Sequence, residues 1–178
     1  MATKNEQIEF VRKIYPAATR LYRASGVHPL FVTAQAALET GWKIKRIGNN
    51  IFGITKGSSW TGPVSLELTT EYFRTPDVKF KAPERVVSVE QAAPGKYKYR
   101  VYRYFRNFAS IDECLDNHLE LLRRPGYADA WPYRGDPKEF ARRLVDGTGA
   151  KYATAPDYAE VMASMIDNVA RIVKETGV

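Results

Sequence analysis

From Pro29 to Trp42 the chain reads PLFVTAQAALETGW and carries one charged side chain, Glu39. The whole sequence is 26% charged, so a stretch this apolar belongs against other protein rather than water. Pro29 suits the first turn of a helix and Gly41 its end. Leu30, Ala34, Ala37, Leu38 and Gly41 then fall on one face and are expected to form its core stripe. Glu39 shares its side with Val32, Gln35, Ala36 and Trp42, none of them cationic. It stands in the last turn, where the helix dipole disfavours a carboxylate, and burial against Trp42 would act the same way. Both effects keep a proton on Glu39 near neutral pH, the state a general acid needs. The ordinary alternative is an exposed helix glutamate. Small, apolar neighbours speak against it, as do the residues that follow: Trp42, Asn49, Asn50, Phe52 and Trp60 supply rings for sugar faces and amides for sugar hydroxyls.

The flanking sequence predicts more helices around a central β region. Thr3-Lys4-Asn5-Glu6 has capping-box spacing, and Ile8, Val11, Ile14 and Ala18 recur at helical intervals until Ser25-Gly26. Ser110-Ile111-Asp112-Glu113 is a second box, opening a helix to about Arg124. Asp136-Pro137 opens another to Val145, and Pro156 the last, to about Glu175. Between them, Val64 to Phe73 alternates: Val64, Leu66, Leu68, Thr70 and Tyr72 against Ser65, Glu67, Thr69 and Glu71. That alternation predicts a strand with Glu71 on its polar face. Pro76, Pro83 and Pro94 punctuate the stretch that follows, and Lys96 to Phe105 (KYKYRVYRYF) is β-prone. Without βαβ alternation the pattern predicts an α+β protein, one domain over 1–178 with a β-lobe at about 50–108.

At 178 residues and 44% hydrophobic content the chain can bury a sizeable core. Its formal charge of +7 favours polyanionic partners. Two histidines and a single cysteine leave little for a zinc site, so no metal or cofactor is expected. Cys114 and His118 are four apart on one predicted helix, a poor fit to a cysteine peptidase, whose nucleophile and base come from separate elements. The basic and aromatic residues of Tyr97–Arg106 alternate as a two-faced strand does, so no nucleic-acid partner is inferred. No apolar run is long enough to span a membrane, and the polar N-terminus predicts no signal peptide. A monomer is expected.

AQAALETGW, NNIFGI, WTGPV, TTEY, FRNFAS and YATAPDYAEVMASMI, in that order, closely resemble glycoside hydrolase family 73, the peptidoglycan-cleaving β-N-acetylglucosaminidases. The likeness extends from about Val27 to Ile172. It implies a lysozyme-like fold, mainly helical, with a small antiparallel β-lobe across the substrate groove. The family's catalytic acid matches Glu39, the carboxylate that its apolar surroundings also single out. Its second carboxylate matches Glu71 in TTEY, and its active-site tyrosine matches Tyr152 in KYAT. Trp42, Asn50, Phe52 and Tyr158 are expected to contact substrate. The implied partner is the peptidoglycan glycan strand, which places the activity in the bacterial wall or periplasm, reached by phage lysis, a phage tail, or a flagellar or secretion apparatus. Two departures stand out. Lys43 follows the Trp where relatives carry Gly, and the stretch from Glu71 to Phe105 is longer than the family pattern. A lytic transglycosylase using Glu39 alone, and a non-catalytic wall-binding module, are the competing readings.

Overall fold

A computed structural model describes residues 2–44, 47–146 and 157–178. Its organising element is the apolar segment, which forms helix α2, Pro29–Thr40. Three helices pack on it: α1 (Lys4–Ser25), α4 (Pro137–Asp146) and α5 (Tyr158–Thr176). Helix α3 (Ile111–Leu122) packs on α1. Burial on α2 is continuous from Phe31 to Ala37 rather than confined to one stripe. This corrects the expected core face: Leu30 and Leu38 are half-buried and Gly41 is exposed. The physical reason is that Ala34, Ala36 and Ala37 let neighbouring helices close in on several sides, and a helix apolar all round is a buried one. Phe31 meets Phe140 of α4 with ring centres 4.7 Å apart.

The predicted caps position the helices. Thr3 accepts from the Glu6 amide at 3.2 Å while the Glu6 carboxylate accepts from the Thr3 amide at 2.7 Å, a complete capping box. Ser110 accepts from the Glu113 amide, but the Glu113 carboxylate takes the amide of Ala109 instead of that of Ser110. Asp136 accepts from the amides of Lys138 and Glu139 at the start of α4.

The β region is an antiparallel sheet of three strands, β1 (Val64–Phe73), β2 (Arg85–Ala93) and β3 (Lys96–Arg106), in the order β1-β3-β2. Strand β2 was not anticipated from the sequence, because prolines bracket it and almost all of it is exposed. The β-branched run Val86, Val87 and Val89, with Pro94-Gly95 before β3, is the signal that could have found it.

In register, Glu71 lies opposite Tyr99 and Glu67 opposite Arg103. Glu71 therefore shares its face with the buried Tyr99, Val101 and Phe105, whereas Leu68 and Tyr72 on the other face are 40% and 54% exposed. The expectation that Glu71 sits on a polar, outward face is thus corrected. The residues between β1 and β2 fold back over its face: Phe73 meets Phe80 and Tyr99, and the Tyr99 hydroxyl donates to Thr75 O at 2.8 Å and accepts from Val78 N at 3.2 Å.

Met1–Phe52 with Ala109–Val178 form one compact unit and Gly53–Phe108 the other. Among the described residues no helix is long and apolar enough to cross a membrane.

Tyr99→Phe keeps the ring and loses both hydroxyl bonds. It should cost about 1 kcal/mol in urea unfolding and speed cleavage at Lys79 in limited trypsinolysis. Unchanged cleavage there would show that Tyr99 does not hold the segment down.

Candidate active site

Helix α2 ends with Gly41 in the left-handed conformation, φ 59°, its amide bonded to Ala37 O. Trp42 follows at φ 66°, a conformation a bulky side chain seldom adopts. Two such residues in succession turn the chain sharply, and the Trp42 ring lies edge-on to Phe10 of α1 at 5.6 Å. Glu39, one turn before that reversal, is exposed. Burial against Trp42 is therefore corrected: the Trp42 ring turns to α1. A cavity of about 520 Å³ beside Phe10 and Trp42 does not include Glu39.

Beneath Glu39 runs a buried polar chain across three helices. His118 of α3 is 5% exposed and its Nε2 lies 2.8 Å from Gln35 Oε1. Since an amide oxygen only accepts, His118 is the donor and carries its proton on Nε2. The Gln35 amide nitrogen then donates to the Tyr158 hydroxyl of α5 at 3.2 Å. Gln35 and Glu39 are four apart on α2, so they share the side facing Tyr158. Burial pushes the Tyr158 hydroxyl well above the usual phenol range; the Gln35 bond opposes this and the Glu39 charge adds to it. Burial also holds His118 neutral, down to about 4, with the Phe52 ring stacked on it at 3.8 Å.

Asn50 and Tyr158, both expected to contact substrate, are 2% and 5% exposed, and Tyr158 is tied to the Glu39 side of α2 through its bond with Gln35. Phe52 covers His118, and Trp42 packs on α1. Tyr152 lies outside the described residues. Cys114 is buried, its thiol pushed up to about 11 by desolvation and bonded to the backbone of Ile51 and Phe52, so it is packing and not a nucleophile. The Gln35 chain was missed in the sequence, although an amide four residues before the lone carboxylate of an apolar helix was a visible clue.

In the sheet unit, Glu71 is half-buried with Arg103 Nη1 3.8 Å from its carboxylate. Arg103 Nε lies 3.6 Å from Glu84, whose carboxylate also takes the Tyr104 amide at 2.8 Å. Arg103 enters from β3, two residues from the buried Val101 on the same face. Among the described residues no cluster of His, Cys, Asp and Glu could hold a metal ion.

The glucosaminidase family profile, described as mannosyl-glycoprotein endo-β-N-acetylglucosaminidase, matches residues 15–171. The chain belongs to this family. It is 33% identical over 158 residues to the peptidoglycan hydrolase FlgJ of Vibrio cholerae, covering 85% of this chain and 40% of that one. The chain thus spans less than half the length of that relative. Among solved structures, the truncated glycoside hydrolase domain of Salmonella typhimurium FlgJ superposes with a TM-score of 0.66 at 28% identity, covering 93% of this chain and 98% of that one. A peptidoglycan hydrolase mutant from Sphingomonas sp. A1 gives 0.65 at 30%, covering 94% and 99%. The fold of this family member is lysozyme-like α+β, helices with one small antiparallel sheet.

The neutral His118 links stability to pH. Unfolding restores its ordinary affinity for a proton, so the unfolded chain binds more protons than the folded one between about pH 6.5 and 4. Stability should fall as pH drops through that window, by on the order of 3 kcal/mol. Urea midpoints of the wild type and His118→Gln, taken across the window, should diverge, with the variant losing less. Parallel curves would mean His118 is protonated in the fold.

Proposed function

We propose that this glucosaminidase-family chain is a peptidoglycan hydrolase that cleaves the β-1,4 bond between N-acetylglucosamine and N-acetylmuramic acid. The observation that carries the reading is Glu39: the one charge of α2, exposed at the end of a helix otherwise buried from Phe31 to Ala37. A carboxyl so placed is fixed by a rigid core yet open to a polymer. Glu39 is the general acid that protonates the leaving oxygen. Glu71 is the second carboxylate. With a guanidinium at 3.8 Å it suits a role as an anion, directing water or steadying the oxocarbenium-like centre. Tyr152 helps to hold the sugar. The resemblance to peptidoglycan hydrolases over most of the chain supports this substrate and action in the bacterial wall.

Glycoside hydrolysis of this kind leaves reducing N-acetylglucosamine ends. Mass spectrometry of digested peptidoglycan should show them, and products dominated by 1,6-anhydromuramic ends would assign a transglycosylase instead. Pelleting on walls with no products at all would make it a binding module.

Glu39→Gln should lower kcat by roughly 10²–10⁴-fold with the fold intact, because an amide cannot donate the proton. Glu71→Gln should cost at least about tenfold but less than Glu39→Gln, since the substrate's acetamido group can partly replace a second carboxylate. Glu67→Gln, on the same face, is the control. Equal mild losses at Glu67 and Glu71 would reduce Glu71 to surface charge.

A further inference from the structure

Among the described residues of the sheet unit, Arg103 Nε is the one buried side-chain nitrogen or oxygen without a hydrogen-bond partner. Glu84 and Glu71 flank the guanidinium at 3.6 and 3.8 Å, attractive distances but too long for hydrogen bonds. A buried guanidinium N–H left open is costly and calls for an explanation.

The space beside it supplies one. A cavity of about 410 Å³ is lined by Lys56, Lys81, Glu84, Arg103 and Tyr104. Three cations meet one acid there, and that acid already accepts the Tyr104 amide. Lys56 is held in place: its amide donates to Tyr104 O at 2.8 Å and its ammonium lies 5.7 Å from the Tyr104 ring centre. Lys81 and Glu84 come from the chain between β1 and β2. That chain thus brings a cation and one wall to a cavity that β3 and Lys56 also line.

We propose that this cavity is an anion subsite that takes a carboxylate of the peptide stems of peptidoglycan. Guanidinium and ammonium donors bind carboxylates with charge-assisted hydrogen bonds, and the volume accommodates an amino-acid residue rather than a bare ion. Peptide stems carry free carboxylates, and the wall is a network, so the stem held here need not belong to the strand being cut. The inference rests on the peptidoglycan reading of the preceding section. It assigns the chain between β1 and β2 a task of its own, recognition of the peptide rather than the glycan.

The test uses the full chain and stem peptide released from peptidoglycan by an amidase, titrated by calorimetry. Wild type should bind the free-acid peptide, and Lys81→Ala and Lys56→Ala should each weaken it at least fivefold. Stem peptide with its carboxyls amidated should bind at least tenfold more weakly than the free acid. On intact walls Lys81→Ala should raise KM with kcat held, and the KM penalty should be at least fivefold larger than on stem-free glycan. Glu39→Gln should lose hydrolysis but bind the stem peptide like wild type, which separates this subsite from the hydrolytic reading: stem binding by a wild type that releases no glycan products would overturn that reading alone. Equal affinity for acid and amidated peptide, unchanged affinity in both lysine variants, or binding of inorganic phosphate in place of the stem peptide, would overturn the proposal.

Discussion

Burial of α2 is the constraint from which the rest of the helical unit follows. Its alanines give up side-chain area of their own but let α1, α4 and α5 approach closely, so the large apolar residues of those helices, such as Phe140, Met162 and Ile166, close over it. A helix enclosed in this way cannot shift without opening several interfaces at once. Of its buried polar side chains, Gln35 finds partners on both sides, accepting from His118 and donating to Tyr158, whereas the Thr33 hydroxyl has none. The same rigidity carries forward to Glu39. One turn beyond Gln35 the enclosure ends, and the exposed Glu39 stands at a point the core has fixed.

This explains which parts of the molecule could be read in the sequence. Helix starts were legible because capping is local: Thr3, Ser110 and Asp136 act through amides two or three residues away. Glu39 was legible as an anomaly of composition. Its burial was misjudged, because intervals of three and four assume that the helix continues through Trp42. In fact Gly41 and Trp42 both turn left-handed, and the indole swings to Phe10. Local rules do not foresee that reversal; a ring on a different helix decides it.

The sheet shows the same limit from another side. Alternation along β1 gave the two faces correctly but could not say which one the protein covers. Hydrophobicity pointed to Leu66, Leu68 and Tyr72. The outcome turned on β3, whose Tyr99 and Phe105 lie on the Glu71 face, and on the chain after β1 that packs Phe80 against Phe73 there. Strand β2 was missed for a related reason: its residues bury little, and its place in the sheet comes from backbone pairing with β3 rather than from an apolar face.

Arg103 links these observations. On a face covered by aromatic rings a lone glutamate would be poorly placed, since a carboxylate loses hydration there and needs a counter-charge. Arg103 supplies that charge to Glu71 and at the same time to Glu84, which anchors the end of the β1–β2 connection through the Tyr104 amide. One guanidinium therefore serves two carboxylates and satisfies neither with a hydrogen bond. The strand that carries Glu71 and the chain between β1 and β2 thus meet at one side chain, whose guanidinium also lies 5.3 Å from the centre of the Phe80 ring.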